Sequence, residues 1–289
     1  MEFKYLGKTG EKIPVLGMGT WKIGGGWYST DYSKDREAVE ALRLGLKLGM
    51  KFIDTAEGYG KGHAEELVGE AVKNEKDVFI ATKVSPEHFK YEDVIKSCEA
   101  SLKRLKVKQV DLYQLHWPNP NVPIEETMKA MEKLVEEGKI RYIGVSNFPV
   151  EEVKKAQEAL SKYEIVSNQV EYSLLCRDVE KDVLPFCQKE KITLIAYRPL
   201  TRGKIFKFSK VFDDVCRKYN KTISQVALNW LIQKKQVVAI PKASKPEHVE
   251  DNIGAVGWKF RKEDIKMLEA MAEKYKQKNL ASTLKLPIF

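Results

Sequence analysis

Three stretches of the 289-residue chain end in side chains that handle protons. Phe52-Ile53-Asp54 runs on through Thr55-Ala56-Glu57-Gly58 to Tyr59, Ala81-Thr82 ends in Lys83, and Gln114-Leu115 ends in His116, followed by Trp117. Each residue alone has an ordinary explanation: an aspartate caps a helix, a lysine ends a strand in solvent, a histidine sits satisfied in a core. As a set they read differently. If the three stretches are successive strands of one parallel barrel, their carboxyl ends open on a common mouth where the side chains converge. Tyrosine then offers a proton, lysine an ammonium that stabilises the phenolate, and histidine a hydrogen bond to a carbonyl oxygen. The ammonium matters because a free phenol ionises only near about pH 10.

The elements needed to position such a set are legible. Eight short β-branched or aromatic runs recur: Val15–Met18, Lys51–Asp54, Val78–Thr82, Val110–Leu115, Tyr142–Ser146, Ile165–Val170, Ile192–Tyr197 and Val237–Ile240. Between them lie stretches of helical spacing, such as Val94, Ile95, Cys98, Leu102 and Leu105, or Ile124, Met128, Met131, Leu134 and Val135. Strand–helix alternation of this kind marks a parallel sheet. Pro123 and Gly138 bracket one helix, and Thr222 caps another. Phe3–Leu6 and Ile13–Val15 flank a turn with Gly7, Thr9 and Gly10, which predicts a hairpin closing the barrel floor. Glu263–Lys274 reads as an additional helix, and Leu280–Phe289 as a surface tail bordering the pocket. The expectation is an α/β fold of one domain, residues 1–289: a (β/α)8 TIM barrel with an N-terminal β-hairpin and an extra C-terminal helix.

Composition narrows the function. Fifty Lys and Arg against 41 Asp and Glu give a net charge of +9. The two signs are interspersed, as at Glu132, Lys133, Glu136, Glu137 and Lys139, which argues against nucleic acid and for capture of a phosphate-bearing ligand. No run approaches the roughly 20 apolar residues of a membrane span, so a cytoplasmic protein is expected. Cys98, Cys176, Cys187 and Cys216 form no C-x-x-C pair, and His63, His88, His116 and His248 lack metal-ligand spacing, so no metal is expected. Gly24, Gly25 and Gly26 complete neither dinucleotide nor Walker patterns and read as a tight turn at the pocket rim. A charged fraction of 31%, rich in Lys and Glu, is compatible with a heat-adapted source.

Seven further pieces, in order, carry a resemblance: Leu16-Gly17-Met18-Gly19-Thr20-Trp21, Phe52 to Ala56 with Tyr59-Gly60, Thr82-Lys83, Asp111-Leu112-Tyr113 with Leu115-His116-Trp117-Pro118, Ile143 to Phe148, Asn168-Gln169, and Ile240-Pro241-Lys242. Over nearly its whole length the chain resembles the aldo-keto reductase superfamily, most closely its archaeal and bacterial reductases and alcohol dehydrogenases. The resemblance implies reduction of aldehydes and ketones, and the reverse oxidation of alcohols or sugars, by hydride transfer from nicotinamide C4. Tyr59 would be the general acid and base, Lys83 its activator, Asp54 the partner that keeps Lys83 charged, and a neutral His116 the group that orients the carbonyl. Ser146, Asn147 and Gln169 would hold the carboxamide and Tyr197 would stack on the nicotinamide, with Gly19, Thr20, Trp21 and Leu200 also against the cofactor. Trp21, Trp27, Tyr28 and Trp117 would line the substrate pocket. A monomer is expected by the same likeness.

The chain departs from the family pattern where the cofactor phosphate is gripped. Lys242 matches, but Ala243 and His248 stand where a serine and an arginine are usual, with Ser244 between them. Histidine is only partly charged near neutrality and lacks the guanidinium fork. Dual use of NADP(H) and NAD(H) is therefore expected. Asp251 and Asn252 match adenine-recognising positions, and Arg198 replaces a usual serine, reaching either pyrophosphate or solvent. Thr201, Arg202 and Gly203 would belong to a loop folding over the dinucleotide. Two other classes of function are weighed against this one: a cofactor-binding regulatory subunit without turnover, and a Schiff-base lyase using Lys83.

Overall fold

Eight of the β-branched runs become parallel strands bonded in sequence order. They are β3 (Met18–Gly19), β4 (Phe52–Asp54), β5 (Phe79–Val84), β6 (Val110–Leu115), β7 (Ile140–Ser146), β8 (Ile165–Glu171), β9 (Thr193–Tyr197) and β10 (Val237–Ala239) in the computed structural model, which describes residues 1–27 and 29–283. The sheet closes on itself: Leu16 bridges Ala239 in parallel, Gly17 N donates to Ala239 O at 2.8 Å, and Gly19 N donates to Pro241 O at 3.1 Å. Glycine is required at this seam. A Cβ on Gly19 would lie 2.8 Å from the Ile240 carbonyl oxygen, inside any allowed contact. The first strand thus begins later than the run Val15–Met18 suggests, because Val15 and Gly17 bond to Ala239 of the last strand across the seam, and Val15 N donates to Glu2 O at 3.0 Å.

Below the barrel, β1 (Phe3–Tyr5) and β2 (Lys12–Pro14) pair antiparallel. Leu6, just after β1, and Ile13, in β2, are fully buried and join Phe52, Phe79, Leu112, Val166, Ile195 and Val238 in the barrel's interior cluster. Strand parity then stacks a polar layer on this apolar one. Asp54 follows Phe52, Lys83 follows Phe79 and Ala81, and Gln114 follows Leu112, each at a spacing of two that returns a side chain to the same face.

Ten α-helices are formed among the described residues: α1 (Asp35–Lys47), α2 (His63–Val72), α3 (Tyr91–Leu105), α4 (Ile124–Glu136), α5 (Val150–Glu158), α6 (Val183–Glu190), α7 (Ser209–Tyr219), α8 (Ile223–Ile232), α9 (Pro246–Ile253) and α10 (Lys262–Thr283). Val94, Cys98, Leu102 and Leu105 of α3, and Met128, Met131 and Leu134 of α4, bury the apolar faces that their spacing defines. Pro123 is the N-cap of α4, Gly138 takes φ +67 just beyond its end, and Thr222 forms a reciprocal capping box with Gln225 on α8. The last helix corrects the sequence reading. It runs to Thr283, so Leu280–Thr283 are helical instead of a tail; the rest of that segment, 284–289, lies outside the described residues, as does Tyr28. No helix among the described residues is long and apolar enough to cross a membrane.

Candidate active site

The polar layer at the strand ends is built around one lysine. Lys83 is fully buried at the end of β5, and its Nζ donates to Asp54 Oδ1 at 2.6 Å, to the Thr55 carbonyl at 2.8 Å and to Tyr59 OH at 3.4 Å. An ammonium has three protons, and all three are used. The Tyr59 oxygen accepts one of them, so the phenol's own proton is directed elsewhere. Asp54 is fixed from the other side by Gln169 Nε2 at 2.7 Å and Gln114 Nε2 at 3.1 Å, both on Oδ2.

Burial acts against the Lys83 charge, but Asp54 and then Tyr59 more than reverse it and hold the ammonium above its ordinary range. Tyr59 behaves otherwise than the sequence suggests. Burial raises its phenol above the usual value, and the pull of Lys83 in the opposite direction does not overcome this. The side chain is therefore a neutral proton donor across the neutral range. His116, at the end of β6, is driven well below its ordinary value by burial and then by the nearby Lys83 charge, and stays a neutral imidazole. Its Nδ1 is buried without a partner. The His116 ring lies 5.6 Å from that of Tyr59 and 4.9 Å from Trp27, while Trp21 packs edge-on to Tyr59 at 5.0 Å. A neutral donor, a neutral phenol and three indoles, counting the half-exposed Trp117, wall one end of a cavity of about 770 Å³.

The cavity floor is amide and hydroxyl. Ser146 Oγ donates to the Gln169 carbonyl at 3.0 Å, and Asn147 Nδ2 donates to the His116 carbonyl and to Ser146 Oγ, each at 3.0 Å. Tyr197 OH donates to Asn147 Oδ1 at 2.8 Å, which leaves the tyrosine ring facing the cavity it lines. Gly19, Thr20 and Leu200 also line it. Arg198 lines it too, but its Nη1 is paired with Glu171 Oε2 at 2.8 Å, so it points neither freely to solvent nor freely to a ligand. The segment Thr201 to Gly203, with three successive positive φ values of 50, 53 and 79, brings Arg202 and Gly203 to the rim.

The far end of the cavity is basic. Lys242, His248, Asp251 and Asn252 line it together with Lys22, which the sequence reading missed. Partial burial, then Lys34 and Lys22, lower the Lys242 ammonium, with Glu37 the one acidic group opposing them. Such mutual repulsion is the mark of a site made for an anion. A cavity of this size, with aromatic and amide groups at one end and convergent lysines at the other, fits a phosphate-bearing nicotinamide dinucleotide. Ala243 and Ser244 do not line it; Ser244 Oγ instead accepts from Lys242 Nζ at 3.0 Å. Asp251 is engaged by Thr222 Oγ1 at 2.7 Å and by Gln225 Nε2 at 3.2 Å. Lys83 is shut behind Asp54 and Tyr59. Phe206, Pro199 and Ser224 complete the wall, and Gln114 lies beneath it; none of the four was assigned a role from sequence.

The loop bearing Tyr59 is clamped to the loop bearing the tryptophans. Gly60 N donates to Gly26 O at 2.7 Å, and His63, four residues after Tyr59, bonds Glu66 Oε2 through Nδ1 at 2.8 Å and Asp35 Oδ2 through Nε2 at 2.9 Å. An imidazole serves two carboxylates at once only as the cation. Burial opposes that charge, but the bonds to Glu66 and Asp35 outweigh it and raise His63 above its ordinary value. A raised folded value stabilises the fold fully below the unfolded value of about 6.5, and the gain is lost as pH rises through the folded value. The melting temperature of the wild type should therefore exceed that of His63→Gln most at about pH 6, with the gap shrinking toward alkaline pH. A gap independent of pH would refute a charged clamp.

Comparison with known proteins gives the family. Residues 15–273 match the model of the aldo/keto reductase family. The chain is 37% identical over 276 residues to methylglyoxal reductase YeaE of Escherichia coli, covering 93% of this chain and 95% of that one. Among solved structures, a thermostable aldo-keto reductase in complex with the inhibitor epalrestat superposes with a TM-score of 0.89 at 46% identity, covering 94% of this chain and all of that one. An aldo-keto reductase from Klebsiella pneumoniae in complex with NADPH gives 0.87 at 35% identity, covering 94% and 96%. With a family model matched over most of its length and relatives matched almost end to end, the chain belongs to the aldo/keto reductase family.

Proposed function

We propose that Tyr59 is the proton donor in reduction of a small aldehyde or ketone, with His116 orienting the carbonyl oxygen and Lys83 and Asp54 setting the phenol. The chain is an NAD(P)-dependent oxidoreductase of carbonyl and alcohol groups. When bound, the reduced nicotinamide supplies hydride to the carbonyl carbon. Tyr59 supplies the proton to the oxygen, and His116 donates a hydrogen bond to the charge that develops there. The observation that carries this reading is the saturated lysine: with Lys83 donating to Tyr59 OH, the phenolic proton is left for a substrate. In the oxidative direction Tyr59 takes the proton back. The same geometry opposes a Schiff-base role, since Asp54 keeps Lys83 charged and buried.

Ser146, Asn147, Gln169 and Tyr197 hold and face the nicotinamide in this proposal, and Lys242, Lys22 and His248 take the phosphates. The reading extends to a cytoplasmic monomer that uses NADH beside NADPH, because His248 offers no fork to a 2′-phosphate. Oxidation of NADPH and NADH, followed by absorbance against a panel of aldehydes, ketones and 2-oxoaldehydes, tests it; nucleotide binding without turnover would overturn it. The 2-oxoaldehydes belong in the panel because one relative is named for methylglyoxal. His248→Arg should raise the NADPH to NADH ratio of kcat/KM about tenfold, or ~1.4 kcal/mol. An unchanged ratio would remove His248 from the phosphate site.

A further inference from the structure

We propose that Gln114 is a positioning residue for the reaction, holding Asp54 by Oδ2 so that Oδ1 stays on Lys83 and Lys83 stays on Tyr59. The inference rests on the reading of Tyr59 as the proton donor and adds a residue to it. Gln114 occupies an interior position of β6, two residues beyond Leu112 of the apolar cluster, and is fully buried. A leucine would fill this place without the cost of burying an amide. The amide is compensated by one charged group. Its Nε2 reaches Asp54 Oδ2 at 3.1 Å, and its Oε1 lies 3.4 Å from Gln169 Nε2.

The two glutamines on Oδ2 are not equivalent. Gln169 lines the cavity and is within reach of a bound ligand, whereas Gln114 lies behind the wall. When the Gln169 amide turns toward the nicotinamide carboxamide, as the proposed function requires, Gln114 is the donor left on that oxygen. Without it, Asp54 is free to rotate and its charge is less dispersed. Both effects act on Tyr59, whose phenol is raised first by burial, lowered by Lys83, raised in turn by Asp54 and lowered by Arg198. The other titratable neighbours at the mouth are the neutral His116 ring and the Tyr197 phenol, which burial and then Glu171 hold above its ordinary range.

Gln114→Leu should leave NADPH binding, read by fluorescence quenching, within about twofold while lowering kcat about tenfold, or ~1.4 kcal/mol. The Tyr59 phenol should titrate at higher pH in the cofactor-free variant, read by NMR of tyrosine labelled with carbon-13 at Cζ and assigned with Tyr59→Phe. The kcat profile for alcohol oxidation should move the same way. Gln114→Glu should recover turnover only at acid pH, where its carboxyl carries a proton and can donate to Asp54. A folded Gln114→Leu protein with an unmoved Tyr59 titration and pH profile would overturn the inference, as would Gln114→Glu turnover that ignores pH. Normal turnover of Tyr59→Phe would instead overturn the reading on which it rests, so the two failures are distinguishable.

Discussion

Tyr59→Phe is expected to lower kcat by about 10²- to 10⁴-fold while NADPH binds within about threefold of its wild-type affinity. The substitution removes one oxygen and leaves the ring, and the ring is what packs against Trp21 and His116. The cavity therefore keeps its shape, and hydride transfer proceeds without a positioned acid. Lys83 cannot replace it: its remaining bonds to Asp54 and Thr55 hold it behind the wall. A split between kcat and binding of this kind separates loss of a proton donor from loss of a fold. Turnover near the wild-type rate would leave the site without its acid.

Asp54→Asn is expected to cost about 3–5 kcal/mol of stability, since it leaves the Lys83 ammonium buried beside a neutral group. For a chain of this length the melting temperature should fall by something on the order of 10 °C. Asparagine also turns an NH2 or an oxygen toward partners that are all donors: Lys83 on one side, Gln169 and Gln114 on the other. With its counter-charge gone, burial dominates and Lys83 loses its proton more readily, so remaining activity should fall as pH rises. Thermal melts and a pH profile check both parts. An unchanged melting temperature would show that the pair does not anchor Lys83.

The elements were readable because their causes are local. Val110–Leu115 reads as a strand from its short run of β-branched and aromatic residues and is one, and Thr222 caps its helix through a partner three residues away. Strand ends then bring Asp54, Tyr59, Lys83 and His116 to one mouth by the rule of the fold alone. What escaped depends on distant contacts. Gln114 carries no signal of its own in the sequence, because its partner Asp54 is 60 residues away. The sequence suggested a phenol eased down by Lys83, yet burial wins at Tyr59, and burial is a property of the closed barrel. Arg198 reads from sequence as reaching either pyrophosphate or solvent, and its pairing with Glu171, 27 residues away, is not encoded in spacing. Lys22 escaped because its left-handed backbone, φ 66, turns the chain just after Trp21 in a way that spacing does not encode.

Enzymes that process electrophilic carbonyls risk chemical damage from them, and the burial of Lys83 bears on durability. Adduct formation needs an uncharged amine and an open path, and Lys83 offers neither, being fully enclosed and held as the cation by Asp54. The amine proposed to set Tyr59 is thereby enclosed and charged. Lys242, whose ammonium is weakened by partial burial and by its neighbours Lys34 and Lys22, is placed in the open cavity where such wear would begin.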